Sequence, residues 1–319
     1  MYSQWIYGSL LGISLALAWQ TWTAEPDADV QDGTVVLQGE QKHLEELMWD
    51  SEAAHIEIFR KSDALGTYIW VKYKDLKKDE TREFKAGKAG EKLFKDLSPL
   101  MAIRKLEAPS SEKLAEIGLS QPKTSLVVTR KGTKRELTVG NEAYGTRDLY
   151  VQEKNSGVVF LVDDEKFRAL KYASSRLPDR KLWAMEKPEI ALRAKLTNAE
   201  GTEQIFEQKN AVDRSKSFWF RAGEAEEKDE QVNTWLGKIL KLNGARYTDL
   251  SQDNIELQFT LELSEENNNK EKLTVVKSDD EWYAQSAYTR GYLKLSKRSI
   301  EELHQDLPDL FSSTQQSED

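Results

Sequence analysis

The order of elements in the first half of the chain recurs in the second half, and this repetition constrains the fold more than any other feature. Leu93, Leu97, Leu100 and Arg104 line up at a constant offset with Trp235, Ile239, Leu242 and Arg246. Gly157-Val158-Val159-Phe160-Leu161 lines up with Gly291-Tyr292-Leu293-Lys294-Leu295, and both stretches run into a short helical pattern, at Phe167 to Leu170 and at Ile300 to Leu303. Two copies of this length can each bury a core, so the duplication is one of domains rather than of solenoid turns. A chain of 319 residues has room for both, because single cores stop growing in that size range.

Within the first copy, period-two alternation at His55 to Phe59 and at Thr67 to Tyr73 reads as a hairpin with one buried face. A helix is expected over Gly90 to Leu97, and Met101 to Leu106 reads as extended. Ser110 or Ser111 ahead of a Glu-containing turn gives a capping-box start to a helix that ends at Gly118. Four short strands follow at Ser125 to Arg130, Arg135 to Gly140, Asp148 to Gln152 and Gly157 to Val162, separated by turn-rich segments, which makes an antiparallel meander. A helix from Asp164 to Tyr172 closes the copy. In the second copy the opening strands fall near Ala191, Glu203 and Ser217, and the helix covers Asp229 to Leu242. The stretch from Ser264 to Lys270, with three successive Asn, lengthens one hairpin.

Residues Tyr2 to Thr23 carry no charge, and as a helix they reach about 33 Å at 1.5 Å per residue, which matches a hydrocarbon thickness of ~30 Å. Trp5 and Tyr7 at one end and Trp19 and Trp22 at the other stand where amphipathic rings settle at membrane interfaces. The expectation is a retained single-pass anchor in the lipid bilayer of the inner (cytoplasmic) membrane, with the bulk of the chain periplasmic. The alternative is a cleavable signal peptide: Ala16-Leu17-Ala18 fits a small-x-small cleavage site, although a basic leading region is missing. The expected fold class is α+β, an N-terminal transmembrane helix followed by two related modules, each a largely antiparallel sheet with short helices. The expected boundaries are an anchor at 1–23, a juxtamembrane lead-in at 24–50 with a short helix around His43 to Met48, modules at 51–185 and 186–311, and a disordered tail at 312–319.

The net charge is −9, and no charged side chain precedes Glu25, so all of that acidity lies beyond the apolar segment. Such a surface repels phosphate backbones, and no nucleic-acid partner is expected. The chain has no cysteine, which excludes disulfides, thiolate metal sites and thiol nucleophiles. His43, His55 and His304 are widely separated, and Glu301-x-x-His304 alone does not make a di-iron bundle, so neither a metal nor another cofactor is expected. No Gly-x-Ser-x-Gly elbow appears. Gly87-Lys88 is followed by Ala89 where a phosphate loop needs Ser or Thr, and reads as a solvated turn. The acidic run from Glu224 to Glu230 reads as a loop and helix start. Trp70, Trp219 and Trp282 fall in expected strands and are assigned to core packing.

The segments Ile69 to Tyr73, Glu116 to Val128, Leu137 to Asn141, Asp148 to Gln152, Gly157 to Asp163 and Ser175 to Trp183 resemble a bacterial envelope family, domain of unknown function forty-three forty. The resemblance implies an N-terminal anchor and duplicated α+β domains. It also implies an association with ABC transporters of the gliding-motility type, beside which members are often encoded. It carries over no catalytic residue.

Arg176, Asp179, Arg180 and Trp183 are the candidate interaction residues. One reading makes them a docking surface at the junction of the modules, since Arg and Trp are favoured at interfaces. The other is an inter-module ion pair with Trp183 packed over it. The functional expectation is an extracytoplasmic accessory subunit of a transporter-type or motility-associated complex, with no catalysis of its own. The alternatives are a tethered module binding a glycan or peptide between the repeats, and an envelope hydrolase.

Overall fold

A computed structural model describes residues 33–107, 109–213, 215–251, 254–266 and 269–312. The expected membrane segment at residues 2–23 lies outside them, as does nearly all of the expected tail at 312–319. No helix among the described residues is long and apolar enough to cross a membrane.

The described chain begins with β1 (Thr34–Leu37) and then sets β2 (Leu44–Asp50) in the middle of a sheet. On one side of it come β3 (Ala54–Asp63), β4 (Gly66–Asp75) and β5 (Glu80–Lys85), each antiparallel to the last. The chain then crosses through α1 (Lys88–Asp96), pairs β6 (Leu100–Ala102) with β1, and sets β7 (Arg104–Leu106) at the far edge. After α2 (Ser111–Glu116) it returns to the middle, where β8 (Thr124–Arg130) pairs with β2. From there β9 (Thr133–Glu142), β10 (Leu149–Glu153) and β11 (Val159–Val162) fill the gap out to β7. The nine-stranded order is β5-β4-β3-β2-β8-β9-β10-β11-β7, and α3 (Arg168–Lys171) and α4 (Ala173–Arg176) follow it.

The second copy makes the same moves. β12 (Arg193–Asn198) takes the middle, and β13 (Glu203–Lys209) and β14 (Phe218–Arg221) are laid to one side. The chain crosses through α5 (Glu230–Ile239) and leaves β15 (Arg246–Thr248) at the far edge. It returns as β16 (Glu256–Ser264) beside β12, and β17 (Lys270–Ser278), β18 (Glu281–Ser286) and β19 (Tyr292–Lys294) reach out to β15. The eight-stranded order is β14-β13-β12-β16-β17-β18-β19-β15, closed by α6 (Lys297–Gln305). The duplication read from the residues is therefore a duplication of topology, and the fold is sheet-rich α+β.

Alternation makes the strands: Ala54, Ile56 and Ile58 are buried while their neighbours are half-exposed, as a pleat with one dry face requires. Leu93 and Phe94 of α1, with Leu97 at its C-cap, are buried together in the core. Burying each such side chain contributes roughly 1.5–3 kcal/mol. In the second copy the counterpart helix buries Trp235, Leu236 and Ile239, with the Trp235 indole against Phe259 at 5.7 Å and its N–H donating to the Leu303 carbonyl at 2.8 Å. Ser110 caps α2 as expected, accepting from the Lys113 N–H, and Asp229 caps α5 by accepting from Gln231 and Val232. Trp70, Trp219 and Trp282 lie in strands and are buried.

An expectation about the lead-in is overturned. His43 to Met48 was expected to be a short helix in a lead-in, but Leu44–Asp50 is a central strand, flanked on both sides by β3 and β8. Its register against β8 slips between Leu44 and Glu46, so a bulge at Glu45 turns Leu44 and Leu47 to the same buried face. Three-residue spacing of apolar side chains is the signature of a helix, and the bulge imitates it. A second strand, β5, was not anticipated at all.

Candidate functional site

The two sheets meet at β5, which has no counterpart among the described strands of the second sheet. β5 lies against β15, with the rings of Phe84 and Tyr247 at 6.1 Å, and one continuous core runs through both copies and includes Leu182 and Trp183 of the segment between them. The connecting segment is built into this junction. Asp179 N–H donates to the Lys85 carbonyl at 2.9 Å, Gly244 N–H donates to the Arg180 carbonyl at 2.8 Å, and Ser286 Oγ donates to the Leu182 carbonyl at 2.7 Å.

Beside the junction opens a cleft of about 950 Å3, bounded by Arg60, Thr67 and Tyr68 of the first copy and by Lys272, Thr274 and Ala287 of the second. Its floor holds a buried ionic cluster. Lys85 Nζ lies 2.8 Å from Asp179 Oδ2 and 3.2 Å from the centre of the Tyr288 ring, and the Tyr288 hydroxyl donates to the same carboxylate oxygen at 2.6 Å. The Lys85 and Asp179 side chains keep only 8% and 11% of their surface. Burial pushes the Lys85 ammonium below its ordinary range against the pull of Asp179, and it pushes the Tyr288 phenol well up, helped by its bond to Asp179. Across the rim, Arg290 makes a two-pronged pair with Asp63 at 2.5 and 2.9 Å and covers the ring of Tyr68 at 3.8 Å. That hydrogen-bonded pairing holds the Asp63 carboxyl below the usual range and raises the Arg290 guanidinium. Glu271 accepts from the N–H groups of Ala184 and Met185, both at 2.7 Å, while burial raises its carboxyl.

Of the four candidate interaction residues, Asp179 alone lines the cleft. It pairs with Lys85 across 94 positions of sequence, not with a neighbouring arginine. Arg176 is exposed, its guanidinium 5.8 Å from the ring of Tyr172, and Arg180 is exposed and donates to the Ser175 carbonyl at 3.3 Å. Trp183 is buried at the junction with no protein acceptor for its indole N–H. Gly87-Lys88 is the start of α1 rather than a solvated turn, with Gly87 at the N-cap and Lys88 facing the cleft. Lys85, Tyr288 and the Asp63–Arg290 pair were missed, and no local motif marks them.

Among the described residues no group of three or more His, Asp or Glu stands close enough to hold a metal ion. His55 instead sits beside Asp50 at 2.5 Å, and His304 packs on Trp282 with ring centres 4.9 Å apart.

A family profile described as Domain of unknown function (DUF4340) matches residues 87–254, over half of the chain. The chain belongs to the DUF4340 family. The DUF4340 match begins at the N-cap of α1 and ends beyond β15, so it frames the junction between the copies rather than either copy alone. No curated protein and no solved structure matches the chain.

Proposed function

We propose that this DUF4340 chain is a membrane-anchored, extracytoplasmic accessory subunit that works by contact, its two copies clasping a segment of a partner protein in the cleft between them. The observation that carries this reading is the cleft itself, whose size falls in the range of pockets that bury a ligand and whose place is where such pockets concentrate. Its buried charges favour a structural floor over a reacting one. Lys85, Asp179 and Tyr288 satisfy one another, and both oxygens of Glu271 are occupied by backbone N–H groups. An anchor at residues 2–23 would hold this cleft within reach of membrane partners, among which the family resemblance favours subunits of an ABC transporter.

Because the chain has no cysteine, a single introduced one is unique. Ala287→Cys places it on the exposed wall of the cleft, and Tyr144→Cys places it on an exposed loop away from it. In-cell crosslinking of the full-length chain is expected to capture a membrane subunit from Ala287→Cys and not from Tyr144→Cys, and deletion of residues 2–23 is expected to weaken the capture. Equal capture from both positions, or none from either, overturns the proposal.

A further inference from the structure

The cleft is cationic although the protein is acidic. Seven of its lining side chains are Lys or Arg and three are Asp or Glu, against a net charge of −9 for the whole chain. Three of the cations are neutralised within the fold: Lys85 by Asp179, Arg290 by Asp63 and Lys270 by Glu262. The other four, Arg60, Lys88, Lys181 and Lys272, carry no ion pair among the described residues. They come from four separate elements, namely β3, α1, the connecting segment and β17, and the fold brings them around one space. Arg60 is fixed in place, donating to the carbonyls of Leu44 and Gln41 at 3.0 Å each and lying over the ring of Phe94 at 4.9 Å. A guanidinium held this way has little ordering left to lose when it meets a carboxylate.

Resting on the clasp reading above, we infer that the cleft takes an extended, acidic peptide segment, rich in Asp and Glu. The two cleft tyrosines each have a cation over the ring, Lys85 on Tyr288 and Arg290 on Tyr68, so neither ring is a clear platform for stacking a sugar. On β17, Lys270, Lys272 and Thr274 share one face at two-residue spacing, ~6.8 Å apart, which is the spacing of side chains on one face of an extended peptide, while Glu271 between them also reaches the cleft with its carboxylate held by the Ala184 and Met185 N–H groups. An extended, negatively charged segment meets both features. A cationic cleft on an acidic body also steers such a segment toward the cleft and away from the rest of the surface.

The test is fluorescence anisotropy of a labelled deca-glutamate with the full chain in detergent, beside deca-glutamine and an oligogalacturonate of equal charge. The deca-glutamate is expected to bind more tightly than either comparator and to weaken as salt is raised. Replacing Lys88, Lys181 and Lys272 together by Gln removes three exposed, unpaired charges and is expected to weaken it by about tenfold. The same change at Lys77, Lys134 and Lys241, exposed elsewhere, is expected to leave it unchanged. Binding of deca-glutamate no tighter than of deca-glutamine, or an equal loss in both triple variants, overturns the inference. Tighter binding of the oligogalacturonate overturns the peptide assignment. If Ala287→Cys still captures a partner while deca-glutamate fails, the anionic reading falls and the clasp stands; if neither works, both fall.

Discussion

The two copies share a strand order and differ where they touch. The first adds β5 at one edge and α2 between its seventh and eighth strands, and neither has a counterpart among the described residues of the second. The added strand meets the other copy through Phe84 and Tyr247, beside the Asp63–Arg290 pair, and the residue that ends it, Lys85, is the buried cation of the junction. The shared strand order gives two sheets, and the edge at which they differ is part of the place where they join. The cores diverged differently: where α1 buries Leu93, α5 buries Trp235.

Truncating the helices breaks this comparison most sharply. Trp235→Ala is expected to cost ~3–5 kcal/mol and Leu93→Ala ~2–5 kcal/mol, each measured by denaturant unfolding. If the shared core couples the copies, either variant moves one common transition; two transitions that respond separately would show that the junction does not transmit stability. Asp179→Ala is expected to cost about 3 kcal/mol, because it leaves Lys85 buried without a counter-charge and the Tyr288 hydroxyl without its acceptor. Replacing the pair together, Lys85→Met with Asp179→Leu, is expected to cost less than the single change. An equal cost would mean that packing rather than charge holds the junction.

Gly140→Ala probes a contact confined to the first copy. A Cβ there meets the Ile117 carbonyl at 2.3 Å, where the chain leaves α2, and the expected cost is ~1–3 kcal/mol in thermal unfolding. The smallest effects are those of the histidines, which carry opposite signs. Donation by the imidazole to Asp50 raises the His55 pKa above 6.5, so its contribution is complete below that pH and is lost as pH rises through the elevated value. Burial, with Lys277 nearby, lowers the His304 pKa, so its contribution is complete above 6.5 and is lost as pH falls through the depressed value. Stability of His55→Gln relative to the parent is therefore expected to improve between pH 5 and pH 8, and that of His304→Gln to worsen; slopes of the same sign would refute the assignment.

Strands whose alternation is clean, such as Ala54, Ile56 and Ile58, were legible in the sequence, as was the cap at Ser110, because those signals are local. The bulge at Glu45 hid β2 by giving Leu44 and Leu47 helical spacing. β5 was hidden because Glu80 to Lys85 is mostly charged, as suits the rim of a sheet, and only Phe84 and Lys85 at its end are buried. The cleft was hidden for another reason. Lys85 finds Asp179 across 94 positions and Asp63 finds Arg290 across 227, and no pattern in a local window encodes such a meeting. The notion of a cleft between repeats was available from the duplication; its charge was not.

In each copy the far edge strand is set down long before the strand that pairs with it, β7 before β11 and β15 before β19. A chain delivered from its N-terminus therefore carries an open seam. Synthesis halted after Leu106 and before Val159 leaves a strand with no partner of its own, and an unpaired edge is a template for another chain. Once β11 arrives every strand of the nine-stranded sheet has been made, and its β5 edge has emerged before any of the second copy. The edge on which the second copy packs is therefore synthesised before the residues that cover it, Tyr247 among them.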